Sequence, residues 1–169
     1  MFHLYGLFIG IAIVVGWSIA ERVEPKVNKY AAWIILAGLL GARIYHAVDM
    51  WDYYSQNIWQ IIKVSNGGMS IWGALVGGLI ATWILYKKES TQIIAAIVTG
   101  LPLSQAIGRI GNGVNGEFTQ LVWVMPWWGA EAILDLILFA IIWKKSNTQK
   151  IAIYTAGYLL IRWLLQPYR

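Results

Sequence analysis

The sequence predicts an all-α, polytopic membrane protein of about six transmembrane helices, with both termini extracytoplasmic. Three observations carry that prediction. Hydrophobic residues make up 59% of the 169-residue chain and charged residues only 12%, about half the ~25% of a soluble domain. With a mean hydropathy of +0.58, a soluble fold of this length could not hide its apolar surface. The apolar residues also fall into stretches of near-spanning length, and lysine and arginine sort to alternate connections between them.

The first stretch covers residues 4–20. No basic residues precede it and no small-residue cleavage site follows, so it is expected to be a retained helix, not a signal peptide. The second covers 30–48, the third 69–86, the fourth 91–110, the fifth 127–143 and the sixth 151–165. Gly100-Leu101-Pro102 is expected to interrupt the fourth, because proline removes a helical hydrogen bond. Between the second and third, Trp51 to Lys63 reads as a short interfacial helix with Trp51, Tyr54, Ile58, Ile61 and Ile62 on one face. Of the eleven tryptophans, Trp51, Trp59, Trp123, Trp127 and Trp128 are expected at the outer interface and Trp143 at the inner one, where amphipathic rings anchor helices.

Orientation follows from charge. Arg22, Lys26, Lys29, Lys87, Lys88, Lys144, Lys145 and Lys150 lie in one set of connections, against Lys63 and Arg169 in the other. This positive-inside bias puts both termini outside. The same topology accounts for the net charge of +5 with no need of nucleic acid. Residues 1–169 read as a single transmembrane domain.

Three arginines remain, Arg43, Arg109 and Arg162, each late in an apolar stretch running from inside to outside. A guanidinium at membrane depth costs at least ~2.5–3.5 kcal/mol, which makes it a functional-site hypothesis. Snorkelling to the headgroups is the bland alternative. Against it, Arg43 follows Gly41-Ala42 and Arg109 sits in Gly108-Arg109-Ile110-Gly111, and small neighbours suit close helix approach. Glu131 and Asp135, four residues apart, are candidate counter-charges, one of them expected to pair with an arginine. Glycines cluster at Gly67, Gly68, Gly73, Gly77 and Gly78, and again from Gly108 to Glu117. Irregular backbone is expected in that second cluster, where it would line a cavity. Absence of cysteine excludes disulfides, a thiol nucleophile and cysteine–zinc sites. Asp49, Asp52 and Asp135 form no metal-binding array, so neither metal nor cofactor is expected.

The segment Gly108-Arg109-Ile110-Gly111-Asn112-Gly113-Val114-Asn115-Gly116-Glu117 resembles the signature of the prolipoprotein diacylglyceryl transferase family, Gly-Arg-x-Gly-Asn-x-x-Asn-x-Glu, at every fixed position. His3-Leu4-Tyr5-Gly6, Gly41-Ala42-Arg43-Ile44-Tyr45-His46, Gly67-Gly68-Met69-Ser70-Ile71-Trp72-Gly73, Pro126 with Glu131, and Gly157-Tyr158 with Arg162 are similar to further family motifs in the same chain order. The resemblance implies transfer of the diacylglyceryl group of phosphatidylglycerol to the lipobox cysteine thiol in a prolipoprotein signal peptide. It would form a thioether and release glycerol 1-phosphate at the extracytoplasmic face of a bacterial inner membrane. It implies Arg109 and Arg162 as a phosphate clamp, since guanidinium binds phosphate bidentately. Asn112 and Asn115 would donate to phosphate or glycerol oxygens. Gly108, Gly67 and Gly68 would shape the lipid site, and Tyr5 and Arg43 would contact the headgroup. His46 or Glu117 would take the thiol proton.

The chain also departs from the family pattern. Ile71-Trp72-Gly73-Ala74 stands where many members read Phe-His-Gly-Gly, so a histidine base at that position is out of the question. A branch sharing Ile-Trp-Gly also carries Tyr-His in the second helix, as Tyr45-His46 here. Only Phe118 to Met125 separate Glu117 from Pro126, so the family's extracytoplasmic head domain is expected to be absent. Trp127-Trp128 replaces Ser-Gln, Gln120 and Gln166 replace a glycine and a glutamate, and the family's final helix is expected to be absent. A non-catalytic phospholipid- or anion-binding module, or a paralogue with another acceptor, is the alternative to the transferase.

Overall fold

A chain this apolar can enter lipid only if each segment satisfies its own backbone hydrogen bonds, which the α-helix does. The computed structural model describes residues 4–63, 68–122 and 124–168, with the backbone alone at Leu4 and Tyr5. It is all-α but for one short hairpin. In order, α1 is Leu4–Val23, α2 Ala31–Asp49, α3 Trp51–Tyr54, α4 Ile71–Tyr86, α5 Ser90–Val114, α6 Trp127–Ile142 and α7 Asn147–Leu165. Between α5 and α6, β1 (Leu121–Val122) pairs antiparallel with β2 (Met125–Pro126), Leu121 opposite Pro126 and Val122 opposite Met125.

Among the described residues, three helical stretches are long and apolar enough to cross a membrane: Gly6–Val23, Pro25–Asp49 and Ile71–Val114. The third holds both α4 and α5, separated by a turn of 3₁₀-helix at Lys87–Glu89. The 16 residues of α6 rise only about 24 Å, against ~30 Å of hydrocarbon.

Three sequence expectations change. The helix α5 runs unbroken through Pro102 and continues to Val114, so most of the glycine-rich signature is helical, and irregular backbone begins only at Asn115. Residues 51–63 do not form one helix: α3 ends after a turn, and a separate 3₁₀ turn follows at Ile58–Ile61. Trp127 turns its ring into the protein. It is 1% exposed and sits in the core with Val122, Leu138, Tyr158 and Leu165. Trp59, by contrast, is 74% exposed. Trp123 and Arg169 lie outside the described residues.

The chain divides into two compact units, one of Met1–Val27 with Thr91–Arg169 and one of Asn28–Ser90. In the first, α1 meets α5 at two glycines. A Cβ on Gly100 would run into the main chain of Gly16, and Ser104 Oγ donates to Ala12 O at 2.8 Å. Likewise, α6 meets α7 where Leu138 lies over Gly157. In the second unit α2 and α4 pack backbone to backbone. A Cβ on Gly41 would overlap Gly73 O, and one on Gly77 would overlap Ala37 O. Between apolar helices in lipid the attraction is close packing itself, so these glycines set the approach. Gly41→Val is therefore expected to lower stability by ~1–3 kcal/mol through overpacking. Gly78→Ala, with nothing within 4 Å of the added Cβ, should leave it unchanged. Thermal unfolding of the two variants in detergent checks both.

Candidate anion-binding site

The centre of the first unit is a carboxylate between two guanidiniums. Glu131, one turn into α6, is 1% exposed. Arg109 Nε of α5 lies 3.0 Å from Glu131 Oε2, and Arg162 Nη1 of α7 lies 3.6 Å from Oε1. The arginine side chains are 22% and 20% exposed, so the carboxylate is covered while the cations reach outward. Three helices thus meet at one acid.

Each partner is itself held. Trp127 opens α6, and its Nε1 donates to Leu165 O at 3.0 Å, tying the start of α6 to the end of α7. The indole faces the Arg109 guanidinium at 5.2 Å from the ring centroid, a cation–π contact strengthened by burial. Phe118 packs on the other ring contact of Trp127, with centroids 4.9 Å apart. From the signature, Arg109 Nη1 donates to Asn112 Oδ1 at 3.1 Å. Asn112 Nδ2 then donates to Glu117 Oε2 at 2.7 Å, and Asn115 Nδ2 to Glu117 Oε1 at 2.6 Å. Asn112 thus supports Arg109 directly, and Glu117, held also by Asn115, orients Asn112; neither amide presents its bonded hydrogen to a ligand. Gly113 lies against the Trp128 ring, while Gly108 has only Ile9 near it, at 4.0 Å.

Among the described residues, Arg109 Nη2 and Arg162 Nη2 donate to no acceptor. Two partly exposed cations with spare N–H groups, oriented by one buried acid, have the chemistry to take a bidentate anion.

Arg43 has a different occupation. It is buried in the second unit, and its guanidinium is taken up by main-chain carbonyls. Nε donates to Ile61 O at 2.6 Å, Nη1 to Gly68 O at 2.7 Å, and Nη2 to Gln60 O at 2.6 Å and Lys63 O at 3.2 Å. Tyr54 lies 5.3 Å from its Cζ. The expected headgroup contact is thus occupied by the loop ahead of α4. His46, one turn on, is half-buried and meets the Tyr54 ring edge-on at 5.8 Å. Gly68, at φ +79°, closes this cluster. A Cβ there would stand 2.6 Å from His46 Nε2 and 2.8 Å from Arg43 Nη1, so the position takes glycine for both its backbone and its neighbours. Gly67 and His3 lie outside the described residues, as does the Tyr5 side chain.

Sequence reasoning treats Glu131 as one of two possible counter-charges, and it misses Trp127. The Glu131 hub follows from a carboxylate on an apolar helix within reach of two cations. Trp127 carries no such signal, since its place beneath Arg109 depends on the hairpin that precedes it.

The fold and site define a helical membrane protein with a cluster of two arginines on a buried glutamate. A sequence model of the family described as prolipoprotein diacylglyceryl transferase matches residues 1–169, and the chain belongs to that family. A Clostridioides difficile relative named phosphatidylglycerol–prolipoprotein diacylglyceryl transferase is 34% identical over 98% of this chain and 77% of its own length. One from Finegoldia magna with the same name is 28% identical over 98% and 78%. A Fusobacterium nucleatum relative, also so named, is 39% identical over 68% of this chain and 43% of its own.

Removing one partner of a buried ion cluster costs ~3–5 kcal/mol. Glu131→Ala, which leaves two guanidiniums facing each other, is expected to lower stability in that range. Asn115→Ala, at the exposed end of the chain of amides, should cost under ~1 kcal/mol. Denaturation midpoints of the two variants in one detergent provide the comparison.

Proposed function

We propose that the chain moves the diacylglyceryl group of phosphatidylglycerol to the lipobox cysteine thiol of a prolipoprotein, with Arg109 and Arg162 holding the lipid phosphate. The observation that carries this reading is the pair of spare guanidinium edges arranged by Glu131, within a chain of that family. The sulfur attacks the terminal glyceryl carbon of the diacylglyceryl group. A carbon–sulfur bond forms as the carbon–oxygen bond to phosphate breaks, and glycerol 1-phosphate leaves with the bonding electrons. The thiol proton is carried to the phosphate. Charge grows on the departing monoester, and preorganised guanidiniums stabilise it more than they stabilise the diester.

Of the two candidate proton acceptors, Glu117 already accepts from two amides and serves to support Arg109. His46 is the candidate base. Arg43 acts as a structural clasp on the loop before α4.

In the membrane, α1, α2, α4, α5, α6 and α7 are the six spans, forming one transmembrane domain. Eight cationic residues in one set of connections against two in the other support both termini outside, with the site toward the extracytoplasmic face of the bacterial inner membrane.

Transfer of labelled diacylglycerol from phosphatidylglycerol to a lipobox peptide by the purified protein tests the reading. Arg109→Ala is expected to lower kcat/KM by ~10²–10³-fold, as for removal of a transition-state donor. His46→Ala should lower kcat ~10²-fold or more, as for loss of a general base. Folded wild-type protein that binds the lipid yet transfers nothing would instead identify a lipid-binding module.

A further inference from the structure

Asp135 lies one turn beyond Glu131 on α6. It is 0% exposed, and no described residue donates a hydrogen bond to either carboxylate oxygen. The groups within electrostatic reach of it are Arg109 from α5, Glu131 on its own helix, and Arg162, Tyr154 and Tyr158 from α7. Both arginines are engaged on Glu131. Four residues before Arg109, Gln105 donates from Nε2 to the Tyr154 hydroxyl at 3.0 Å, while its Oε1 is buried with no donor among the described residues. Behind the ion cluster, then, lies a second polar layer in which three buried acceptor oxygens, Gln105 Oε1 and both of Asp135, receive no hydrogen bond from a described residue. A proton on Asp135 supplies a donor.

Charge counting gives that proton a consequence. Glu117 is partly exposed and reaches Arg109 only through Asn112, so the buried charges are the two guanidiniums and Glu131; with Asp135 neutral they leave one net positive charge, which a single phosphodiester anion cancels. With Asp135 ionised, the empty cluster is already neutral, and an arriving phosphate would leave a net negative charge away from water. Uncompensated buried charge is strongly unfavourable.

We propose that Asp135 sets the charge of the anion site: it is protonated when a lipid phosphate rests on Arg109 and Arg162, and it ionises when that phosphate departs. Lipid binding therefore takes up a proton. This rests on the reading above only in taking a phosphodiester as the ligand, and it makes Asp135 a positioning residue that acts through the arginines and touches no substrate.

The sign follows by linkage. As pH rises, the free protein loses the Asp135 proton, and binding has to restore it, so affinity falls. The test is calorimetric titration of short-chain phosphatidylglycerol into the purified protein, in buffers of different ionisation enthalpy and without any thiol acceptor. Wild-type protein is expected to take up as much as one proton per lipid, with Kd rising up to ~10-fold per pH unit on the alkaline side. Asp135→Asn, neutral at every pH, should bind with no uptake and a flat profile, whereas Asp135→Glu, which keeps the acid, should retain the uptake. Binding by wild type with no proton uptake would overturn the proposal, and so would uptake that persists in Asp135→Asn. No binding at any pH would instead remove the anion site itself.

Discussion

One carboxylate shared by two guanidiniums organises the first unit. A buried Glu131 without cations would be untenable, and Arg109 or Arg162 without it would stand as uncompensated charge in an apolar bundle. Because the three come from α5, α6 and α7, satisfying them fixes the register of three helices at once. The surrounding contacts serve the same end. Trp127 ties α6 to Leu165 and lies beneath Arg109, while Asn112, oriented by Glu117, holds the guanidinium from the signature side. Ion-pair geometry and helix packing are in this unit one constraint.

The two units put the same side chain to opposite uses. In the second, Arg43 gathers the main-chain carbonyls of Gln60, Ile61, Lys63 and Gly68 onto one guanidinium. In the first, Arg109 and Arg162 keep part of their hydrogen-bonding capacity unfilled. A saturated guanidinium is architecture; one with spare N–H groups can take a ligand. That distinction lies in the partners and not in the residue.

This explains how far the sequence could be read. The helices were legible because long apolar runs have few other solutions, and the three arginines stood out by their cost. Glu131 as a counter-charge was within reach, since few acids interrupt those runs. The fate of Arg43 was not, because its acceptors are carbonyls, which every residue carries. Pro102 misled in another way: a proline perturbs a helix locally, yet α5 continues through it. The burial of Trp127 was not legible either, because a tryptophan near a helix end commonly presents its ring at the surface. Only the hairpin, which turns the start of α6 inward through the bond from Trp127 N to Gln120 O at 2.8 Å, makes it core.

That hairpin has a bearing on how the family can vary. Leu121 and Pro126 face one another across a two-residue ladder, and Val124 at its tip is 89% exposed. Paired strand residues sit only ~5 Å apart, so the chain leaves and re-enters the bundle at nearly one point. Material of any length could be spliced into such a tip while α5 and α6 keep their spacing, as a branch grafted at a node leaves the trunk undisturbed. The eight residues between Glu117 and Pro126 then read as a port: the helical machinery below it can stay constant while whatever is mounted above is enlarged, exchanged or dispensed with.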